Sequence, residues 1–149
     1  FHHHFMPPNF YGFAPPATLF VIDLDHFKQI NDNLGHEAGD AVLVATAERI
    51  RQAIRASDTV ARYGGDEFVV LVVDILNEAD VLGLGEKLCN LLREPVPWRA
   101  SVLQATCSLG IALCPDNGES FNALFQQADR AMYQVKERGR NGAALADAN

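Results

Sequence analysis

Asp58-Thr59-Val60-Ala61-Arg62-Tyr63-Gly64-Gly65-Asp66-Glu67-Phe68-Val69-Val70-Leu71-Val72-Val73 is the stretch that decides the fold. Asp58 to Tyr63 reads as one strand and Glu67 to Val73 as the next, both bearing β-branched residues. Gly64-Gly65 accepts the positive φ angles that a tight hairpin demands. Such a turn delivers two acids, Asp66 and Glu67, to one end of the hairpin.

Working outward, Ala17 to Ile22 is a short apolar block ending in Asp23. Its length, lack of alternation and β-branched content suit a strand covered on both faces. A short helix is expected from about His26 to Leu34, broken by Gly35. A longer one from Gly39 to Arg55 puts Val42, Leu43, Thr46, Ala47, Ile50 and Ile54 on one face. A third, from about Glu78 to Arg93, turns Val81, Leu84, Leu88 and Leu91 inward, with Pro95 and Pro97 ending it. A strand region follows from about Val102 to Leu113. In the last helix Phe121, Leu124, Phe125, Ala128, Ala131, Met132 and Val135 form an apolar stripe at helical spacing, and Gly139 is the stop. The aromatic residues of that stripe read as core. Strands mixed with helices in this order imply an α/β (α+β) sandwich, with helices packed on a sheet that is largely antiparallel.

The chain has 149 residues, 48% hydrophobic and 21% charged, which is the size and balance of one folded domain. Residues 1–17 read as an irregular segment, with His2-His3-His4 as a tag remnant or one turn of a truncated helix, and 18–149 as a single domain. Consecutive histidines do not share a helix or strand face, which disfavours a metal cluster there. No run approaches the roughly 20 apolar residues of a membrane span, and the opening lacks a signal-peptide pattern. A cytoplasmic setting without membrane contact is therefore expected. A net charge of −7 argues against a nucleic-acid polymer as partner. Cys89, Cys107 and Cys114 form no CxxC pair and read as small apolar core residues.

Asp23 ends the first strand, Asp25 follows, and Asp66 and Glu67 follow the turn. If the hairpin pairs beside the first strand, Asp23 and Asp66 converge at one rim of the sheet. Two carboxylates so placed repel unless a cation intervenes. Hard oxygen ligands suit Mg²⁺, which also takes substrate phosphates, and such an ion polarises a phosphoryl oxygen. The competing reading makes Asp23 and Asp25 caps of the next helix and Asp66 ordinary turn chemistry. Spacing alone leaves both open.

Gly64-Gly65-Asp66-Glu67-Phe68, preceded by Ala61-Arg62-Tyr63, is joined by Asp23-Leu24-Asp25-His26-Phe27-Lys28, Ile30-Asn31-Asp32, Gly35-His36 and Gly39-Asp40. Near the other end stand Ala128-Asp129, Ala131-Met132-Tyr133, Lys136 and Gly139-Arg140-Asn141. In order and spacing these resemble the motifs of the GGDEF domain family, the diguanylate cyclases, over roughly Thr18 to Asn141. The resemblance implies a fold similar to adenylyl cyclase catalytic domains and polymerase palms, and the condensation of two GTP into cyclic di-GMP and pyrophosphate. It implies Mg²⁺ or Mn²⁺ held by Asp23, Asp66, Glu67 and the Leu24 carbonyl. Asp66, Glu67 and Lys28 take catalytic roles by the same resemblance, with Glu67 a metal ligand or a base for the hydroxyl.

Asn31 and Asp40 match positions that recognise guanine, a pairing that would reject adenine by leaving buried polar groups unpaired. Lys28, Lys136 and Arg140 match phosphate-contacting positions, with the backbone N–H groups of His26 and Phe27 at a helix start suited to the same work. Lys136 and Arg140, four apart, would share a face if the helix continued past Gly139. The resemblance also implies an antiparallel homodimer with one GTP per protomer, and an upstream sensor domain in the parent protein. Arg55-Ala56-Ser57-Asp58 fits the family's RxxD inhibitory site, nine residues before Gly64, where Arg55 and Asp58 would bind cyclic di-GMP. The chain departs from the family in lacking the usual N-terminal motif resembling DxLTGLxNR; Phe1 to Phe5 is read as what remains of that helix. The alternative reading is a non-catalytic module that senses GTP or cyclic di-GMP.

Overall fold

The computed structural model describes residues 6–74 and 77–147. The His2–His4 run and the segment Phe1 to Phe5 lie outside these. The elements are β1 (Ala17–Leu24), α1 (Phe27–Leu34), α2 (His36–Ala53), β2 (Thr59–Arg62), β3 (Glu67–Val73), α3 (Glu78–Leu92), β4 (Val96–Trp98), β5 (Ser101–Leu103), β6 (Cys107–Cys114), α4 (Phe121–Glu137) and β7 (Gly142–Leu145). Five strands form one sheet in the order β2-β3-β1-β6-β7. All its pairings are antiparallel except β6 with β7. The expected mixed, largely antiparallel sheet between helices is the observed one.

β1 is central and buried along its whole length. Phe20, Ile22 and Leu24 face a core shared with Val42 and Ile50 of α2 and Val81 and Leu88 of α3. Leu19 and Val21 face the other core, closed by Leu124, Ala128 and Met132 of α4. Strand alternation thus splits one apolar run between two helical layers. Every residue of the α4 stripe is buried except Phe125, which is half-buried against Tyr63 at 4.7 Å between ring centroids. Arg49 ties α2 to the end of α3, its guanidinium donating to the carbonyls of Leu91, Glu94 and Pro95. No helix among the described residues is long and apolar enough to cross a membrane.

Several expectations are corrected. The segment before β1 is not wholly irregular: Pro8–Phe10 is a 3-10 turn, and Met6 and Phe10 are buried in the α4 core, Phe10 edge-on to Phe121. The β2–β3 connection is not a two-glycine hairpin, since neither Gly64 nor Gly65 has positive φ. The turn spans four residues, closed by the Tyr63 N–H donating to the Glu67 carbonyl at 2.8 Å. Arg62 braces it, with Nε 3.0 Å from the Gly64 carbonyl and Nη2 2.7 Å from that of Gly65. The strand expected over Val102 to Leu113 is two, β5 and β6, and Pro97 lies inside a short β4–β5 hairpin instead of merely ending α3. A two-stranded hairpin tolerates proline because each strand has a free edge. In α3 the inward face is Val81, Gly85, Leu88, Cys89 and Leu92, while Leu84 and Leu91 are only half-buried. All three cysteines are free and buried, with Cys89 Sγ 3.6 Å from Cys107 Sγ.

Candidate active site

The β1–β3 register pairs Asp23 with Glu67, and the Leu24 N–H donates to the Asp66 carbonyl at 3.1 Å. Antiparallel pairing thus brings the end of β1 and the acidic turn to the same rim, as the convergence of Asp23 and Asp66 requires. Asp23 is buried on the α4 side, where Lys136 Nζ donates to its Oδ2. Its Oδ1 is buried and has no hydrogen-bond partner among the described residues. Burial, and then the neighbouring Asp66, push the Asp23 carboxyl up to about 6 despite Lys136. Glu67 is pushed up to about 7, by burial first and then by Asp23, Asp129 and Asp66. Burial raises Asp129 as well. For Lys136, burial works against the charge, but the contacts with Asp23 outweigh it and raise its pKa.

This is a rim where negative charge is crowded and one carboxylate oxygen is orphaned. A buried orphan oxygen costs about 1–3 kcal/mol, and carboxyls raised by burial and by one another are the state a divalent cation relieves. The donor set therefore fits Mg²⁺ or Mn²⁺. As placed, with Lys136 on Asp23, no three acidic, histidine or cysteine side chains among the described residues surround one point closely enough to ligate it. A divalent ion at this rim would compete with Lys136 for Asp23 Oδ2. Asp129 belongs to this cluster through its charge on Glu67; it lies two turns before Lys136 on α4, and that spacing is the signal that could have found it.

The other candidates divide. His26 has φ 58 and leads into α1, whose first turn starts at Phe27. Its side chain makes no cap bond, and the Asp25 carboxylate accepts from Thr106, Ser108 and the Asn141 N–H instead, so neither side chain caps α1. Asn31 lies against Gly39, where a Cβ would come within 2.9 Å of Asn31 Cγ, so Asn31 and Asp40 share the α1–α2 corner. Lys28 stands apart: its ammonium donates to Asp32 at 2.8 Å on an exposed face of α1, and among the described residues it bonds no carboxylate of the rim. Arg140 does not continue the α4 face. The helix ends at Glu137, and Gly139, Arg140 and Asn141 have φ of 115, 69 and 56, so Arg140 is carried by a left-handed turn. A cleft of about 320 Å³ between α1 and residues 104–106 includes neither Asn31 nor Asp40, and none of the rim acids.

The family model described as "Diguanylate cyclase, GGDEF domain" matches residues 14–142. The chain belongs to the GGDEF domain family. A bifunctional diguanylate cyclase/cyclic di-GMP phosphodiesterase of Pseudomonas aeruginosa, MucR, is 46% identical over 126 residues, covering 85% of this chain and 18% of MucR. The crystal structure of the GGDEF domain of YfiN (TpbB) from the same organism superimposes with a TM-score of 0.85 at 42% identity, over 89% of this chain and 83% of that one. The GGDEF domain of DgcB from Caulobacter crescentus, solved in complex with c-di-GMP, does so at 0.80 and 32% over 89% and 76%. This GGDEF domain has the cyclase and palm-like α+β fold, and spans less than a third of the length of the curated relatives it first matches.

The rim of this GGDEF domain gives a pH dependence with a fixed sign. In metal-free protein Glu67 titrates near 7 when folded and near its ordinary 4.5 when unfolded. Between these values the folded state holds a proton the unfolded chain has lost, so stability falls as pH rises through the window. Glu67→Gln removes that loss. In EDTA at about pH 8 the variant is expected to be more stable than the parent by on the order of 1–2 kcal/mol, discounted for partial solvent screening, and equal at about pH 4. Urea denaturation at the two pH values checks it; a variant weaker at the higher pH would show that Glu67 carries no such strain.

Proposed function

We propose that this domain is a catalytic diguanylate cyclase, in which two GTP-loaded protomers face one another and the 3′-hydroxyl of each nucleotide attacks the α-phosphate of the other, releasing pyrophosphate. The observation that carries the reading is the meeting of Asp23, Asp66 and Glu67, from two separate stretches of chain, with the Oδ1 of Asp23 orphaned. Asp23, Asp66, Glu67 and the Leu24 carbonyl would hold Mg²⁺ or Mn²⁺. When bound, the ion neutralises charge on the triphosphate and acidifies the attacking hydroxyl. Glu67, paired with Asp23 across the sheet, either completes the ligand set or takes the 3′-hydroxyl proton as base. Lys136 and Arg140, with the His26–Phe27 N–H groups, bind phosphates, while Lys28 reaches them by leaving Asp32. Asn31 and Asp40 select guanine.

Incubation with GTP and Mg²⁺ or Mn²⁺, followed by chromatography, should yield cyclic di-GMP and pyrophosphate at a rate rising faster than linearly with protein concentration. Nucleotide binding without turnover at high protein concentration would replace this reading with that of a sensor module.

The guanine assignment has its own test. In Gly39→Ala the new methyl overlaps the Asn31 amide, a side chain that can swing away, and stands 3.1 Å from Phe27 Cζ, which must give by a few tenths of an ångström. Stability should change by less than about 1 kcal/mol, since alanine also favours the helix. The KM for GTP should rise about tenfold as Asn31 leaves the base. An unchanged KM would separate Asn31 from guanine.

Product inhibition at Arg55 is proposed in a modified form. The Asp58 side chain is 2% exposed, and its oxygens accept from the Arg55 N–H at 3.0 Å and the Val73 N–H at 3.1 Å. The Arg55 guanidinium, half-exposed, donates to both Asp58 oxygens at 3.3 Å and to the Val73 carbonyl. Arg55 is thus the group that meets cyclic di-GMP, and Asp58 orients it. Arg55→Ala should raise the inhibition constant for added cyclic di-GMP about tenfold or more. Asp58→Ala should instead cost about 1–3 kcal/mol of stability by orphaning two backbone N–H groups. Inhibition unaltered in Arg55→Ala would remove the site.

A further inference from the structure

Two residues beyond Asp23 lies a buried acid that the proposed chemistry does not use. The Asp25 carboxylate accepts from Thr106 Oγ1 at 2.6 Å, Ser108 Oγ at 2.7 Å and the Asn141 N–H at 3.0 Å. Its own N–H donates to the Thr106 carbonyl at 2.9 Å. Asp25 therefore clamps the end of β1 to the start of β6 and to the turn that follows α4.

That turn is unusual. Arg140 and Asn141 are consecutive left-handed residues; asparagine adopts that conformation readily, but for Arg140 it costs roughly 1–2 kcal/mol and persists only where neighbours fix it. The neighbours are identifiable. The Arg140 N–H donates to the Val135 carbonyl at 2.9 Å. Asn141 is gripped from two sides: Asp25 takes its backbone N–H, and Arg93, at the end of α3, donates to its Oδ1 from Nε at 3.0 Å and Nη2 at 2.9 Å. Gln104 holds the Arg93 carbonyl at 3.1 Å. Three elements remote in sequence thus converge on one short turn, in which Asn141 is tied down and the exposed Arg140 is the side chain presented for a ligand.

We propose that Asp25 and Arg93 are positioning residues, holding the left-handed Arg140-Asn141 turn so that Arg140 meets the triphosphate of the bound nucleotide. This rests on the reading of Arg140 as a phosphate contact. Arg93 acts through the Asn141 side chain and Asp25 through the Asn141 backbone; neither touches the nucleotide.

The test is a double-mutant cycle on the full chain, read as the calorimetric Kd for α,β-methylene GTP with Mg²⁺, an analogue whose α–β bridge resists cleavage. Arg140→Ala alone should weaken binding. Arg93→Ala should weaken it about fivefold in the parent and less than about twofold when Arg140 is already alanine, because its effect runs through Arg140. Asp25→Asn should behave likewise. Arg93 is only partly buried, so its cycle decides the matter even if Asp25→Asn does not fold. Equal losses in the two backgrounds, or no loss in Arg93→Ala or Arg140→Ala, would overturn the proposal. A parent chain that binds the analogue but makes no cyclic di-GMP from GTP sinks the cyclase reading alone. A parent that binds no analogue overturns both.

Discussion

Asp23→Asn is expected to lower kcat for cyclic di-GMP formation by about a thousandfold or more while the domain stays folded. The two halves of that outcome come from the same geometry. Asp23 is the acid on β1 paired with Glu67 across the sheet, and its Oδ1 has no hydrogen-bond partner among the described residues. Asparagine keeps the shape but removes the charge that would hold a divalent ion. Without metal, the lost charge is one that burial already disfavours, since the Asp23 carboxyl is pushed up to about 6. Removing it also lowers the pressure on Glu67. The Lys136 ammonium loses its partner, but about a quarter of its side chain is exposed, so it can turn to water. The expected result is an inactive protein whose urea midpoint in EDTA matches or exceeds the parent's. Initial rates at saturating GTP and Mg²⁺, with calorimetric Mn²⁺ titration alongside, measure both halves. A kcat within tenfold of the parent's would sink the metal-site reading.

The rim was legible in the sequence because it depends on a register that short-range signals specify. Once the strand before Asp23 and the strand after Asp66 are adjacent and antiparallel, Asp23 must face the start of β3. What escaped depends on contacts that no local pattern encodes. The partners of Asp25 lie 81, 83 and 116 residues away, and one is a backbone N–H, to which side-chain identity is blind. β7 is a parallel strand of small residues, Gly142-Ala143-Ala144-Leu145, without the β-branched content that marks β1 and β3. It is a strand because α4 returns the chain to the open edge of β6. Asp58 sits in a motif that reads as a ligand, yet its side chain points inward, where β3 offers the Val73 N–H. The glycines of the acidic turn misled in the other direction. Four residues closed by Tyr63 and braced by Arg62 do not need positive φ at Gly64 or Gly65.

Gly110→Ala is expected to destabilise the domain by about 3 kcal/mol or more. Gly110 is in mid-β6, paired with Val21 of β1 and Ala144 of β7. A Cβ there would overlap the Ala128 carbonyl oxygen and stand 2.5 Å from the Met132 nitrogen and 3.0 Å from the Ala128 carbonyl carbon. Ala128 and Met132 are one turn apart, so the methyl strikes helical backbone and no rotamer change relieves it. α4 must lift from the sheet, carrying Lys136 away from Asp23 and Asp129 away from Glu67. A comparison on the opposite layer isolates this cause. Gly85→Ala in α3 would bring a methyl to 2.9 Å from Ile111 Cδ1 and 3.4 Å from Leu109 Cδ2. Both are flexible ends of side chains, and alanine's helix preference offsets the crowding by about 1 kcal/mol, so Gly85→Ala should stay within about 1 kcal/mol of the parent. Urea denaturation of the two variants, each a glycine to alanine change against β6 or within it, decides whether close backbone approach of α4 holds the acidic rim together. Equal midpoints would show that it does not.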